Sequence, residues 1–385
     1  MISNKLLIVC ALSTIMGSSH AQNLNYKNFT FDGNNREYAV YVPSSYDGVV
    51  AYPLLFNFHG GGDLIDSYMT NIDMRPIADT ANFILVYPQA IPDPGNGGST
   101  SWMHKEPTTH DDVPFVEAMI DSISADYNID LNRVYTCGYS LGGEFSYELA
   151  CQLNSEIAAI GAVARTMGAE TFNNCSPIHP TGVITILGTA DPISDYNGVW
   201  YFGVQYYMSA DEQNDYWIDY NNCDTEPVIS AIPDSSPSDG STVERYTWSN
   251  ADGCAYLEEL KVIDGGHDWP GSFGNMDIDA SGEIWNFVSR YDINGLINCS
   301  TMRTENGISE SQKPFKVYPN PFDNYIEVET TLDGIHDFRL YDLRGKLWIA
   351  GDLTSDKNTI DLTLLPPNLY LLQVKNQTKR ILKIE

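Results

Sequence analysis

The sequence predicts an α/β fold with a mostly parallel sheet, followed by a small all-β sandwich domain. Over residues 29–293, short apolar and β-branched runs alternate with longer segments of helical periodicity, as strands and crossover helices do. Residues 315–385 instead show short alternating runs separated by turn residues. The length of 385 residues agrees with two domains, because a single hydrophobic core stops growing near about 250–300 residues.

The elements of the first domain follow from these runs. The helix predicted over residues 114–126 places Phe115, Val116, Met119 and Ile120 at helical spacing, and residues 281–291 are predicted to form the closing helix. The predicted strands cover residues 37–42, 53–59, 83–87, 133–138, 157–163, 183–187 and 259–263. In the second domain they cover residues 325–330, 338–341, 347–350 and 369–374.

The ends of the two domains are predicted from composition. Lys5 precedes a short apolar run that leads to small residues ending at Ala21, the pattern of a cleaved signal peptide. Residues 299–314 are polar and lack periodicity, as a linker does. We therefore expect a signal peptide over 1–21, an α/β domain over 22–298, a linker over 299–314 and a β-sandwich over 315–385. No other segment approaches about 18 apolar residues, so no membrane span is predicted.

Charge and cysteine content indicate which partners, disulfides and metals to expect. The formal charge of −30 disfavours nucleic acid, whose binding depends on Lys and Arg neutralising phosphates, and favours solubility in an extracellular medium. Six cysteines remain after the signal, an even number that favours disulfides but leaves 15 pairings open. No CxxC or His/Cys cluster indicates zinc, so neither a metal nor another cofactor is predicted.

The candidate nucleophile is Ser140, in the motif Gly138-x-Ser140-x-Gly142. The motif lies between a predicted buried strand and a predicted helix. Glycines bracket the serine because larger side chains would clash in so sharp a turn, and the serine hydroxyl must stand clear of the backbone. In this context the motif indicates the nucleophile turn of an α/β-hydrolase, whereas the motif alone is weak evidence.

A serine hydroxyl needs a base and an orienting acid, which follow it in this fold in the order acid, then histidine. His267, in a glycine-rich loop after the last predicted strand, is the candidate base, since His179 and His336 lack a suitable context. Asp191 follows the strand 183–187 and is the candidate acid, with Asp195 as the competitor.

The tetrahedral intermediate of such a reaction requires backbone N–H donors for its oxyanion. The amide of Leu141, directly after the nucleophile, is one predicted donor. The loop His59-Gly60-Gly61-Gly62 after an early strand supplies the other, with Gly61 as first choice and Gly62 as the alternative.

Together these motifs resemble the secreted esterases grouped as poly(3-hydroxybutyrate) depolymerases and feruloyl or acetyl-xylan esterases, of the carbohydrate esterase family one type. The resemblance rests on HGGG, Tyr87-Pro88, Ser101-Trp102, Asp111-Asp112-Val113, GYSLGG, Gly188-Thr189-Ala190-Asp191-Pro192 and GGHDWPG. The catalytic residues of that family fall on Ser140, Asp191 and His267. The resemblance also implies a Cys223–Cys254 disulfide, more weakly a Cys151–Cys175 disulfide, and substrate contacts of Trp102 and Trp269, although core packing explains either tryptophan as well.

The motif YPNP at residues 318–321 and the ending Lys379–Glu385 resemble the C-terminal sorting domain of the type IX secretion system. This resemblance implies an extracellular or cell-surface protein whose tail engages the secretion machinery, with a carbohydrate-binding sandwich as the alternative. The resulting hypothesis is a cofactor-independent serine esterase that removes feruloyl or acetyl groups from plant polysaccharide. The alternatives are a polyester depolymerase and a catalytically inactive polysaccharide-binding protein.

Overall fold

We describe a computed structural model of the chain. The described residues are 23–93, 97–102, 112–251, 254–297, 299, 315–319, 322–330, 336–342, 346–355, 357–366, 368–374 and 377–383. The chain divides into two compact units, Met1–Cys299 and Ser300–Glu385. The predicted signal peptide and residues 300–314 of the predicted linker lie outside the described residues. Within the described part, no helix is long and apolar enough to cross a membrane.

The first unit contains strands and helices in alternation. Its described strands are β1 (Asn23–Phe31), β2 (Asn34–Val42), β3 (Tyr52–Phe58), β4 (Ile84–Pro88), β5 (Ile91–Asp93), β6 (Ser99–Ser101), β7 (Ile129–Tyr139), β8 (Ala159–Val163), β9 (Gly182–Gly188), β10 (Val199–Tyr201), β11 (Val204–Tyr207), β12 (Val228–Ala231), β13 (Thr242–Trp248), β14 (Leu257–Ile263), β15 (Tyr291–Asp292) and β16 (Gly295–Leu296). Its described helices are α1 (Ile65–Asn71), α2 (Arg75–Ala81), α3 (Asp112–Asp126), α4 (Leu141–Gln152), α5 (Ala169–Asn174), α6 (Ala210–Asn221) and α7 (Ala280–Val288).

A central sheet has the strand order β1-β2-β4-β3-β7-β8-β9-β14-β13-β12. The six strands from β4 to β14 are parallel, and antiparallel pairs flank them on both sides. The carboxyl ends of β7, β9 and β14 therefore lie at one edge of the sheet, where ligand sites of open α/β sheets form. This architecture confirms the predicted α/β-hydrolase class.

Two hydrophobic clusters cover the two faces of the sheet. Successive side chains of a strand point to opposite faces, so Phe56 and Phe58 pack on one side with α3 and α4, while Leu55 packs on the other with α1 and α7. All seven residues of β3 and of β9 are buried, as expected where helices cover both faces of a parallel strand. Full burial of each large apolar side chain contributes roughly 1.5–3 kcal/mol.

The predicted parallel strands and the helix over 114–126 coincide closely with β3, β4, β7, β8, β9, β14 and α3. The antiparallel strands β1, β12 and β13 were not predicted, and residues 199–207 form an unpredicted hairpin. Strands β1 and β13 carry many polar residues, so their pattern resembles that of loops.

The described residues of the second unit form two antiparallel sheets. One has the order β17-β18-β21 and the other β20-β19-β22-β23, and the buried residues between them include Phe315, Ile326, Leu340, Tyr370 and Leu372. The described strands are β17 (Phe315–Tyr318), β18 (Tyr325–Thr330), β19 (His336–Asp342), β20 (Leu347–Leu353), β21 (Lys357–Asp361), β22 (Asn368–Val374) and β23 (Gln377–Lys383). The described strands agree with the small all-β domain that the sequence predicts over residues 315–385.

The disulfides differ in part from those implied by the family resemblance. Cys151, at the end of α4, is bonded to Cys175. The implied Cys223–Cys254 pair is wrong, because Cys254 is bonded to Cys299. The turns after α7 bring Cys299 to a Cα–Cα distance of 6.1 Å from Cys254, while the sulfur of Cys223 contacts the carbonyl of Ala255 instead.

Candidate active site

The carboxyl end of β7 turns directly into α4, and Ser140 occupies the turn. Its φ of 53° and ψ of −120° lie in a region that non-glycine residues rarely adopt. The Ser140 amide donates to the carbonyl of Val163 on the neighbouring strand at 2.9 Å, and its carbonyl accepts from Glu144. These bonds hold the strained residue with its hydroxyl at the sheet edge.

The flanking glycines are required by close backbone packing. A Cβ at Gly138 would lie 2.4 Å from the carbonyl carbon of Gly142, and a Cβ at Gly142 would lie 2.1 Å from the carbonyl oxygen of Phe58. Both distances are far below van der Waals contact. Backbone atoms cannot withdraw as a flexible side chain can, so α4 approaches the sheet this closely only with glycine at these positions.

We expect Gly142→Ala to destabilise the first unit by about 1–3 kcal/mol or more, because the added methyl group overpacks a rigid backbone contact. Urea unfolding measures the change. Gly282→Ala in α7 is the matched control, since its Cβ would meet only the end of the Asp279 side chain and helix propensity favours alanine. Equal stability of the two variants would contradict the steric explanation.

Ser140, His267 and Asp191 form a continuous hydrogen-bonded chain. His267 Nε2 lies 3.0 Å from Ser140 Oγ, and His267 Nδ1 lies 2.7 Å from Asp191 Oδ2. An ionised carboxylate only accepts, so Nδ1 carries the proton and Nε2 is free to accept from the serine. Ser140 and Asp191 are buried, whereas the imidazole stays 13% exposed.

Asp191 is itself held in place by backbone donors. Its Oδ1 accepts from the amides of Ile193 and Ser194, both at 2.8 Å, so Oδ2 is directed to the imidazole. The competitor Asp195 accepts from Asn197 on an exposed turn and makes no contact with His267. The structure thus brings Asp191, and not Asp195, to the histidine.

The histidine loop is fixed from three sides. The carbonyl of Gly265 accepts from Ala190 at 2.9 Å, which ties this loop to the loop that carries Asp191. Asp268 Oδ2 accepts from the Gly266 amide, and the carbonyl of His267 accepts from the hydroxyl of Tyr139 at 2.7 Å. Burial raises the pKa of Tyr139, so its hydroxyl remains a donor. Asp268 and Tyr139 were not predicted to support the site.

The glycine loop after β3 lies against the nucleophile. A Cβ at Gly60 would lie 3.5 Å from Ser140 Cβ, and one at Gly61 would lie 2.7 Å from Leu141 Cδ1. The amide of Gly62 donates to the carbonyl of Thr100 at 2.8 Å and is therefore engaged. Among the described residues, the amides of Gly61 and Leu141 have no hydrogen-bond acceptor, which leaves both available for an oxyanion.

The buried imidazole of His59 orients this loop. Its Nε2 accepts from the Ala90 amide at 3.1 Å, so the proton is on Nδ1, which donates to the carbonyl of Gly60 at 2.7 Å. In a trans peptide the carbonyl and the next N–H point in opposite directions, so the Gly61 N–H points away from His59. Sequence reasoning identified the glycines but not this function of His59.

Burial lowers the pKa of His59 from 6.5 to about 4. The unfolded chain therefore takes up this proton first as the pH falls, and the stability from the neutral imidazole is complete above about pH 6.5 and lost toward pH 4. Between pH 7 and pH 5 we expect the free energy of unfolding to fall by about 2 kcal/mol through this group. Urea unfolding at several pH values compares the wild type with His59→Asn, which lacks the titrating imidazole. The same pH dependence of the free energy of unfolding in both proteins would contradict the prediction.

Neither tryptophan expected to contact substrate is positioned to do so. Trp102 is stacked on Phe145 with its Nε1 donating to the carbonyl of His59 at 2.8 Å, and it is 4% exposed. Trp269 is fully buried and donates to Ser281. The expectation of substrate contact is corrected for both, since these large rings pack in the core beneath the catalytic loops.

Comparison with known proteins agrees with this arrangement. Residues 36–196 match the family model described as esterase PHB depolymerase, and residues 316–384 match the secretion system C-terminal sorting domain. The chain is an esterase with a secretion sorting domain. The first match includes the elements that carry Ser140, Gly61 and Asp191, and the second includes most of the second unit.

Relatives of this esterase support the same class. It is 28% identical over 268 residues to a bifunctional acetylxylan esterase/xylanase of Neocallimastix patriciarum, covering 70% of the chain and 35% of that relative. It is 26% identical to a probable feruloyl esterase C of Aspergillus niger, covering 68% of the chain and 88% of the relative. The chain thus spans about a third of the first relative and most of the second.

A solved structure shows the same fold. The acetyl xylan esterase from Aspergillus awamori matches with a TM-score of 0.52 at 14% identity, covering 69% of the esterase and 99% of that chain. The esterase is a carboxylic ester hydrolase, and its sorting domain assigns it to the cell exterior or cell surface.

Proposed function

We propose that the esterase removes acetyl or feruloyl groups from xylan through an acyl-enzyme, with Ser140 as nucleophile, His267 as base and Asp191 as orienting acid. The hydrogen-bonded chain from Ser140 Oγ through the imidazole to Asp191 is the observation that supports these roles most directly. The glycine loop and the turn after Ser140 supply the proposed oxyanion donors.

In the proposed mechanism, Ser140 Oγ attacks the ester carbonyl while its proton passes to His267 Nε2. The N–H groups of Gly61 and Leu141 hold the oxyanion, each contributing roughly 3–4 kcal/mol to transition-state stabilisation. Collapse of the intermediate breaks the bond to the sugar oxygen, which takes the proton from His267. Water then attacks the acyl-enzyme by the same route, releases the carboxylic acid and restores Ser140.

The substrate class is proposed from the relatives, whose names refer to acetylxylan and feruloyl esters. Polyester is the second candidate substrate, because the matching family model carries the description esterase PHB depolymerase. We further propose the domain organisation predicted from the sequence, in which residues 315–385 direct the catalytic unit to the secretion machinery and do not act in catalysis.

Product release distinguishes the two substrate classes. Protein that comprises residues 22–385 is incubated separately with acetylated xylan, feruloylated arabinoxylan and a poly(3-hydroxybutyrate) film. The released acetate, ferulate and 3-hydroxybutyrate are then quantified. We expect release from xylan and little from the film. Release from the film alone would replace xylan by polyester, and binding of xylan without any product would indicate an inactive binding protein.

A further inference from the structure

The hairpin of residues 199–207, here called the aromatic hairpin, presents large apolar side chains to solvent. Strands β10 and β11 are joined by a turn at Phe202 and Gly203, both of which have positive φ. The exposed residues are Trp200 at 56%, Tyr201 at 55%, Phe202 at 106%, Val204 at 59% and Tyr206 at 52%. Exposed aromatic clusters of this kind mark interaction sites in soluble proteins.

The base of the aromatic hairpin is fastened beside the nucleophile. Tyr207 forms a β-bridge with Gly168, and the ring of Tyr207 lies under the guanidinium of Arg165 at 4.3 Å. Met208 donates to the carbonyl of Met167 at 2.9 Å. The segment 164–168 directly follows β8, whose last residue, Val163, accepts from the Ser140 amide. The aromatic hairpin therefore rises from the same sheet edge that carries Ser140.

The same hairpin is also linked to the acid loop. It begins eight residues after Asp191, and the turn before it is closed by a hydrogen bond from Gly198 to Asp195. At its other end, Gln205 donates to Glu212 in the first turn of α6. These anchors, one directly before β10 and the others on or just after β11, hold the exposed rings in a defined position relative to the triad.

The chemistry of the aromatic hairpin fits a sugar polymer. Residues 199–207 carry no charge, in a chain of net charge −30. A pyranose ring has an apolar C–H face and a polar edge, which suits flat Trp and Tyr rings that are apolar in the body and polar at the tip. The Tyr201 and Tyr206 rings pack edge to face with their centroids 5.2 Å apart, which fixes the two rings relative to each other.

Other occupants fit less well. A second copy of the chain would need a standard interface of about 20–30 residues a side, far more than a nine-residue hairpin. The strongly acidic chain would be repelled by an anionic membrane surface.

We propose that the aromatic hairpin is a binding platform for the polysaccharide backbone of the substrate, next to the ester cleaved at Ser140. This inference rests on the proposed polysaccharide esterase function and extends it to the recognition of the polymer. Small esters carry no polysaccharide chain and therefore do not need the platform.

The test compares a polymer with a small ester. In the full-length protein, Trp200→Ser combined with Phe202→Ser and Tyr206→Ser should lower kcat/KM on acetylated xylan about tenfold or more, because the three substitutions remove aromatic rings from the proposed contact with the polymer. The value on p-nitrophenyl acetate should change less than about twofold, since the triad is untouched. Ile178→Ser and Tyr325→Ser, exposed by 74% and 53% elsewhere, are the matched controls.

An unchanged value on xylan would overturn the proposal, as would an equal loss on both substrates, which would place the hairpin in the acyl pocket. A change in oligomeric state on size-exclusion chromatography would identify a contact between copies and would also overturn it. If the three hairpin substitutions abolish adsorption to poly(3-hydroxybutyrate) but leave binding to xylan unchanged, the platform binds polyester and the polysaccharide proposal is overturned.

Binding without catalysis separates this inference from the proposed function. In native gels containing soluble xylan, Ser140→Ala protein should migrate more slowly than in gels without xylan, and adding the three hairpin substitutions should abolish this retardation. Retardation together with an absence of esterase activity in the wild type would refute the proposed function and retain the platform. If the wild type is active on xylan but the retardation does not depend on the hairpin, the proposed function is retained and the platform is refuted.

Discussion

Ser140→Ala is expected to lower kcat on p-nitrophenyl acetate by about 10⁴–10⁶, because removal of the nucleophile leaves only the oxyanion donors and binding. The residual rate should come from water attacking a carbonyl held by the amides of Gly61 and Leu141. Steady-state hydrolysis of p-nitrophenyl acetate by the two proteins, at equal concentration of folded protein, measures the loss.

Ser146→Ala is the matched control. Ser146 is a fully buried serine in α4, six residues after Ser140, and its hydroxyl donates to the carbonyl of Gly142 at 3.0 Å. The same chemical change there should alter kcat less than about twofold, since Ser146 lies outside the hydrogen-bonded triad. Activity of Ser140→Ala close to that of this control would refute the proposed mechanism.

Asp191→Asn is expected to lower kcat by about 10⁴ with little loss of stability. The amide oxygen of asparagine can still accept from Ile193 and Ser194. Its NH₂ group then faces His267 Nδ1, so the imidazole must place its proton on Nε2, where it can no longer accept from Ser140. The loss should appear in kcat on all esters, because the acid acts on the histidine and not on the substrate.

The competing carboxylate supplies the control for this prediction. Asp195→Asn makes the same change four residues on, at an exposed turn where the side chain accepts from the backbone and the side chain of Asn197. It should leave kcat nearly unchanged. A similar loss in both variants would show that the electrostatic field of the acidic loop matters more than the hydrogen bond to His267.

Much of the catalytic unit was predictable because its signals are local. A glycine-bracketed serine between a buried strand and a helix implies the turn around Ser140, since only that backbone path accommodates the motif. Asp191 and His267 were inferred from their positions just after strands, because the carboxyl ends of parallel strands meet at one edge of the sheet. The structure places these side chains within hydrogen-bonding distance, while their catalytic roles stay a proposal.

The supporting groups gave no such signal. His59 stands in a recognisable motif, yet its function depends on the amide of Ala90, which is distant in the sequence. Nothing in the order of residues 199–207 distinguishes an exposed hairpin from a buried one, because an apolar run of this kind is typical of core strands as well.

By itself, the sequence determined the fold class and identified the three residues of the candidate triad. It also predicted a secreted protein of two domains. Only the tertiary structure decided that Cys254 bonds Cys299, that Trp102 and Trp269 are core residues, and that Gly62 is engaged by Thr100. The physical reason is that local patterns depend on neighbouring residues and chain periodicity. Pairing, burial and hydrogen-bond availability depend instead on distances between segments that only the packed fold brings together.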